Sequence, residues 1–174
     1  MPAVTIRPSA KSPKPAPTAR RAAPTPAGQL DEGPLHRILG YRLAQATVTT
    51  LQVFEAQVAA AFDLRPVEFT VLALVHENPG VTGGQLATAL AVTPSNITMW
   101  IDRLSRRGFV EREPHAQDRR ALHIRLSAAG AEVVRQATER LFEGEHHAMT
   151  ALTPGERMLL VELLDKVGRA RASR

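Results

Sequence analysis

The chain has 174 residues, 44% of them hydrophobic, which is enough for one domain with a core. It has no cysteine, which excludes a disulfide framework, a thiolate metal site and a cysteine oxidation switch. The formal charge of +5 equals the five basic side chains of the first thirty residues, Arg7, Lys11, Lys14, Arg20 and Arg21, so any basic character in the body must be local.

Residues 1–33 carry Pro2, Pro8, Pro13, Pro15, Pro17, Pro24 and Pro26, many alanines and no acid before Asp31. Such a segment cannot bury enough surface to order itself, so it reads as a disordered basic Pro/Ala-rich arm. It is dispensable for specificity but able to add nonspecific affinity for phosphates. Residues 34–174 read as a single domain. Pro34 opens a long helix to about Phe62, with Leu35, Ile38, Leu39, Leu43, Leu51, Phe54 and Val58 near helical spacing. At 1.5 Å per residue it spans roughly 40 Å. The β-branched run Thr47-Val48-Thr49-Thr50 predicts a bend there. A second helix, Pro66 to about Glu77, brings Phe69, Leu72, Ala73 and Val75 to the core.

Thr82-x-x-Gln85 is a capping box, and Leu86, Ala87 and Leu90 form the apolar stripe of the third helix it opens. After a three-residue turn, Thr93 as N-cap and Pro94 at the first helical position open a fourth. Ile97, Ile101 and Leu104 turn one side of it inward and leave Ser95, Asn96, Thr98, Met99 and Arg103 on the other. Gly108 stops the helix. The runs 109–112 and 121–126 then alternate apolar and polar, as in a β-hairpin whose loop, Glu113 to Arg120, is a wing. Residues 99–125 hold seven arginines and four acids, a local basic surplus on this module. Ser127 can cap a fifth helix through Val133, Val134, Ala137, Leu141 and Phe142. Thr153-Pro154-Gly155-Glu156 starts a sixth, whose Leu159, Leu160, Val161, Leu163, Leu164 and Val167 cover too wide an arc for a solitary surface helix.

The predicted fold is mainly α with a small β-hairpin wing: a winged helix-turn-helix module, residues 66–126, between dimerisation helices at 34–62 and 127–174. That order of elements points to double-stranded DNA. The first turns of the fourth helix would enter the major groove. Asn96 has the donor–acceptor pair that reads adenine, Thr98 serves either base type, and Met99 offers an apolar surface to a thymine methyl. Arg106 and Arg107 suit phosphates, and Arg119 and Arg120 at the wing tip suit the minor groove. Each residue alone also reads as a solvated side chain. Terminal helices paired between two chains would set the recognition helices roughly 34 Å apart and predict a pseudo-palindromic site for a homodimer. A catalytic elbow, a phosphate-binding glycine loop and a His-Glu-x-x-His helix are all missing from the sequence, so no enzyme is expected. With no run of eighteen apolar residues and no signal-type apolar segment, no membrane partner is expected and the compartment is cytoplasmic. A winged-helix protein-interaction module without DNA affinity is the alternative.

The run from Asp102-Arg103-Leu104 through Arg107-Gly108-Phe109-Val110-Glu111-Arg112, then Asp118-Arg119-Arg120 and Leu126-Ser127-x-x-Gly130, resembles the multiple antibiotic resistance regulator (MarR) family. The likeness is close over the winged module and follows helix order elsewhere, from about Leu35. It implies obligate dimers that mostly repress transcription until a small molecule, a metal or oxidation loosens them from DNA. It also implies a wing in which Arg120 enters the minor groove and Asp118, two residues before it, supports it. Met99 departs from the pattern, standing where similar proteins often carry a basic residue. His115 stands where many have another acid, which leaves the wing less braced.

The resemblance places an effector pocket where the first and fifth helices meet the winged module, lined partly across the dimer. His36, Tyr41 and Arg42 lie near that end of the first helix, and an arginine with a histidine and a phenol suits a hydroxylated aromatic carboxylate. All three also read as interfacial or solvated side chains. No resident cofactor or metal is expected. Zinc is the rival signal: Glu143 and His147 stand at i, i+4, whereas His146 and His147 diverge by about a hundred degrees on a helix.

Overall fold

The computed structural model describes residues 24, 25, 27–114 and 122–170. Most of the predicted arm and the wing tip, with His115, Asp118, Arg119 and Arg120, lie outside the described residues. The chain divides into two compact units, Met1–Ala44 and Gln45–Arg174. The division falls inside the first long helix, where the sequence reading had a single domain from residue 34. Leu35, Ile38 and Leu39, expected to pack, are about half exposed.

In the first unit the helix expected from Pro34 is instead a tight turn, Gly33–Arg37, followed by the extended Ile38. Its bonds run three residues back, Leu35 N–H to the Glu32 carbonyl and Ile38 N–H to that of Leu35. Helix α1 proper is Leu39–Phe54.

In the second unit α1 passes into a π turn, Glu55–Ala59, and ends with Ala60–Phe62. The irregularity therefore lies beyond the threonine run where the sequence predicts a bend. Thr47, Val48 and Thr49 are exposed, where branched side chains meet little crowding, and the Thr50 hydroxyl donates to the Thr47 carbonyl. Then come α2 Pro66–Glu77, β1 Val81–Thr82, α3 Gly83–Leu90, α4 Pro94–Arg106, β2 Val110–Pro114, β3 Leu122–Leu126, α5 Ala128–Ala148 and α6 Pro154–Arg169. The three strands form an antiparallel sheet in the order β1-β3-β2, with Val81 opposite Ile124 and Arg112 also opposite Ile124 on the other side. The mainly helical fold with its hairpin is as the sequence predicts, and β1 is an addition.

Both helix ends at the turn between α3 and α4 are well defined. Val92 N–H reaches the Ala87 carbonyl and Ala91 N–H that of Thr88, a Schellman closure with Ala91 in the left-handed region. Alanine takes that slot at a cost of about 1 kcal/mol relative to glycine. At the end of α4 the same closure uses Gly108, with Phe109 N–H on the Leu104 carbonyl. Between these ends Ile97, Ile101 and Leu104 are fully packed against Val58, Val71, Leu72, Val75 and Leu86. The predicted inward face of α4 is thus the floor on which its outward face is presented.

α6 opens with the predicted capping box, its Thr153 hydroxyl accepting from Glu156 N–H while the Glu156 carboxylate accepts from Thr153 N–H at 2.8 Å. The Thr153 hydroxyl and N–H hold the Glu156 carboxyl below its ordinary pKa. A depressed carboxyl stabilises the fold above its unfolded pKa and loses that contribution as pH falls through the folded one. Amide exchange in the first turn of α6 should therefore quicken about fivefold across that acid window, and Glu156→Gln should flatten the dependence. No residue of α6 is buried. Among the described residues no helix is long and apolar enough to cross a membrane.

Candidate functional site

The outward face of α4 carries Ser95, Asn96, Thr98 and Met99, all exposed, with Met99 at 53%. Thr93 takes the N-cap conformation, but its hydroxyl pairs with that of Ser95 at 2.9 Å rather than with a backbone N–H. The Thr98 hydroxyl donates back to the Pro94 carbonyl, which leaves its oxygen as an acceptor. Among the described residues, neither the Asn96 amide nor the Met99 thioether has a side-chain partner. An amide with a donor and an acceptor therefore stands beside an apolar surface on one short helix turn.

The arginines separate into two groups. Arg106 is exposed, its Nε donating to the Asp102 carbonyl. Arg103 and Arg107, predicted to face the partner, instead face the corner between α1 and α2. Arg103 Nε lies 3.2 Å from Oε1 of Glu68, whose side chain is wholly buried, and Nη2 lies 3.5 Å from Asp63. Arg107 donates to the carbonyls of Phe62 and Asp63 at 2.6 and 2.5 Å and stacks 4.7 Å from the centre of the Phe109 ring. These carbonyls end α1, where a cation satisfies free acceptors and complements the helix dipole. The sequence-level assignment of Arg103 and Arg107 to the outer face is corrected accordingly: a buried carboxylate and a helix end hold them. Two further ion pairs brace the module. Arg112 of β2 bonds the Asp102 carboxylate of α4, and Arg125 meets Glu113 across the hairpin at 3.0 Å.

In the first unit Tyr41 and Arg42 meet on a fourth residue that sequence reasoning left in the arm, and His36 reaches Arg42 through its backbone carbonyl while its ring turns to Gly33. Glu32 is 4% exposed. Arg42 holds its carboxylate with both terminal nitrogens, Nη1 to Oε1 at 3.1 Å and Nη2 to Oε2 at 2.6 Å, and the Tyr41 hydroxyl donates to Oε1 at 3.2 Å. Arg42 Nε also donates to the His36 carbonyl, and the His36 ring nitrogen Nδ1 lies 2.5 Å from the Gly33 carbonyl. Burial pushes the Tyr41 phenol above its ordinary pKa, and the neighbouring carboxylate adds to the shift.

Among the described residues no three acids or histidines gather as metal ligands. His147 Nδ1 contacts the Glu143 backbone carbonyl at 2.7 Å, and His146 lies 3.2 Å from Arg157. A separate cleft of 560 Å³ in the second unit is walled by Thr49, Gln52, Val53, Gln57, Gly144 and His147.

Comparison with known proteins places this geometry. The model of the MarR family matches residues 64–122, from the start of α2 to the hairpin. The multiple antibiotic resistance protein MarR of Escherichia coli K12 is 31% identical over 106 residues, covering 60% of this chain and 74% of that protein. The transcriptional repressor CouR, solved bound to a 23-mer DNA duplex, superposes with a TM-score of 0.74 at 28% identity, over 82% of this chain and all of that one. The PcaV regulator of Streptomyces coelicolor, solved with its natural ligand, shares the fold at a TM-score of 0.69 and 20% identity, over 79% of this chain and 96% of that one.

Proposed function

The chain belongs to the MarR family of DNA-binding transcriptional regulators and is not an enzyme, and we propose that it is a ligand-responsive repressor acting as a homodimer on a pseudo-palindromic promoter site. The outward face of α4 carries this reading: Asn96 and Met99 stand free on a helix whose other side is anchored in the core. Asn96 reads adenine and Met99 a thymine methyl, while Arg106 and the wing arginines Arg119 and Arg120 meet the backbone and minor groove. CouR, similar over most of this chain, is a repressor and was solved on DNA. The apolar side chains of α6, from Met158 to Val167, are 40–75% exposed, which suits burial against a second copy. A hydroxylated aromatic carboxylate held at Arg42 and Tyr41 is the proposed signal. It must bind the DNA-incompetent arrangement more tightly in order to release the operator.

Selection of genomic fragments by the purified protein, followed by footprinting at fixed salt, tests the reading. A palindromic footprint is expected. Asn96→Ala should cost the selected site about tenfold to a hundredfold while sparing nonspecific DNA, and Arg120→Ala should weaken it likewise. Enrichment no greater than background, with partner proteins captured instead, would favour a protein-interaction module.

A further inference from the structure

We propose that the Glu32 carboxylate is a built-in competitor for the anion subsite formed by Arg42 and Tyr41, so that an aromatic carboxylate binds by displacing it and thereby frees the segment that carries it. The inference rests on the effector-site reading above and adds its regulation.

The geometry is that of a bound ligand. One guanidinium nitrogen donates to Oε1 while the other lies 2.6 Å from Oε2 as an ion pair, the charge pairing an arginine offers a free carboxylate, and the Tyr41 hydroxyl adds the hydrogen bond expected of a polar pocket. Glu32 fills that place from within the chain. Its side chain is 1% exposed and that of Arg42 is 45% exposed, so the carboxylate is covered while the guanidinium still reaches solvent. A second carboxylate cannot join the first, because two anions at one cation repel and raise each other's proton affinity. Binding is therefore an exchange.

Glu32 is also the anchor of its segment. Among the described residues from 24 to 40 it is the only one buried. The segment otherwise closes on itself through local bonds, such as Thr25 N–H to the Leu30 carbonyl and Leu30 N–H to the Thr25 hydroxyl. Displacing Glu32 removes the buried anchor of the stretch before α1, which the bond from Arg42 Nε to the His36 carbonyl still meets at its far end. A tethered carboxylate acts at high effective concentration, so a small anion such as acetate competes poorly. An aromatic acid, adding the burial of its ring, has the extra free energy to displace it. The competitor thus makes the site discriminate by more than charge, and it lowers apparent affinity by the fraction of molecules in which Glu32 still occupies the site.

Calorimetry on the full chain with 4-hydroxybenzoate and its neutral amide tests this, comparing wild type, Glu32→Gln, Glu32→Ala and Arg42→Met. Both Glu32 variants should bind the carboxylate about tenfold more tightly than wild type, with the amide changed by less than about twofold. Saturating 4-hydroxybenzoate should speed amide exchange at residues 27–37 of the wild type, a reading that needs no variant to fold. Binding that requires Arg42 yet is equal or weaker in both Glu32 variants overturns the competitor and leaves the effector site standing. Binding indifferent to Arg42→Met, or absent even in the Glu32 variants, overturns both.

Discussion

Gly130→Ala is expected to destabilise the protein by about 3 kcal/mol or more, a larger loss than a helix glycine normally shows, because here the backbone approaches too closely for any side chain. A Cβ built on Gly130 would stand 2.1 Å from the Phe109 carbonyl oxygen and 2.9 Å from its carbon, and both are backbone atoms that no rotamer change can move aside. The same carbonyl accepts Ser127 N–H at 3.0 Å, and the Ser127 hydroxyl donates to the Gly108 carbonyl at 2.6 Å while accepting from Gly130 N–H. Pushing α5 away from β2 therefore strains the helix cap and two further hydrogen bonds, each worth about 1 kcal/mol. Denaturant midpoints measure the loss. Gly155→Ala in the first turn of α6, where an added Cβ meets nothing within 4 Å, is the control and should be neutral or slightly stabilising. If Gly130→Ala unfolds at the wild-type midpoint, the close approach does not constrain this junction.

The same junction shows what a sequence reveals and what it conceals. Ser127 was readable as a cap because serine before an apolar-periodic run has a local physical meaning, and the caps at Thr82 and Thr153 were readable in the same way. The inward stripe Ile97, Ile101 and Leu104 follows from periodicity alone. The contact between Gly130 and Phe109 joins residues twenty-one apart and leaves no local pattern beyond the glycine itself. β1 is two residues long, too short for alternation to register, and exists because Val81 and Thr82 lie beside Ile124 and His123. The π turn at Glu55–Ala59 contains no β-branched cluster that would betray it, whereas the threonine run that promised a bend stays helical.

For the candidate site, exposure of Met99 followed from helix geometry, since it lies opposite the buried stripe, and Asn96 stands about a quarter-turn to the side of that stripe. Charge was the less legible property. A string such as Arg103, Arg106, Arg107 is equally basic whether its members meet phosphate or protein, and only the fold shows that the first and third reach a helix corner some forty residues earlier in the chain. Glu32 was hidden for a related reason. It lies at the edge of a proline-rich segment whose composition argues for disorder, but composition averages over residues and one buried ion pair is enough to pin the edge.

Arg103→Met is expected to cost about 3 kcal/mol of stability, because it leaves the Glu68 carboxylate buried without its cation. Glu68 is 0% exposed and keeps only the hydrogen bond from Arg65 N–H at 2.9 Å once Arg103 is gone. Glu68→Gln in the same background removes the stranded charge, so the double variant should recover part of the loss and the cycle should show a coupling of about 1 kcal/mol or more. A phosphate contact predicts the opposite pattern: Arg103→Met would leave the denaturation midpoint unchanged and lower DNA affinity with a shallower salt dependence. The two accounts therefore separate on one pair of measurements, a melt and a salt titration. The stability outcome would also give α4 a mechanical role, since Arg103 and Arg107, one turn apart, tie it to the end of α1 and the start of α2. A movement of that corner then carries α4 with it, and Arg103→Met should loosen this tie, whereas Arg106→Met, on the exposed side, should alter DNA affinity alone.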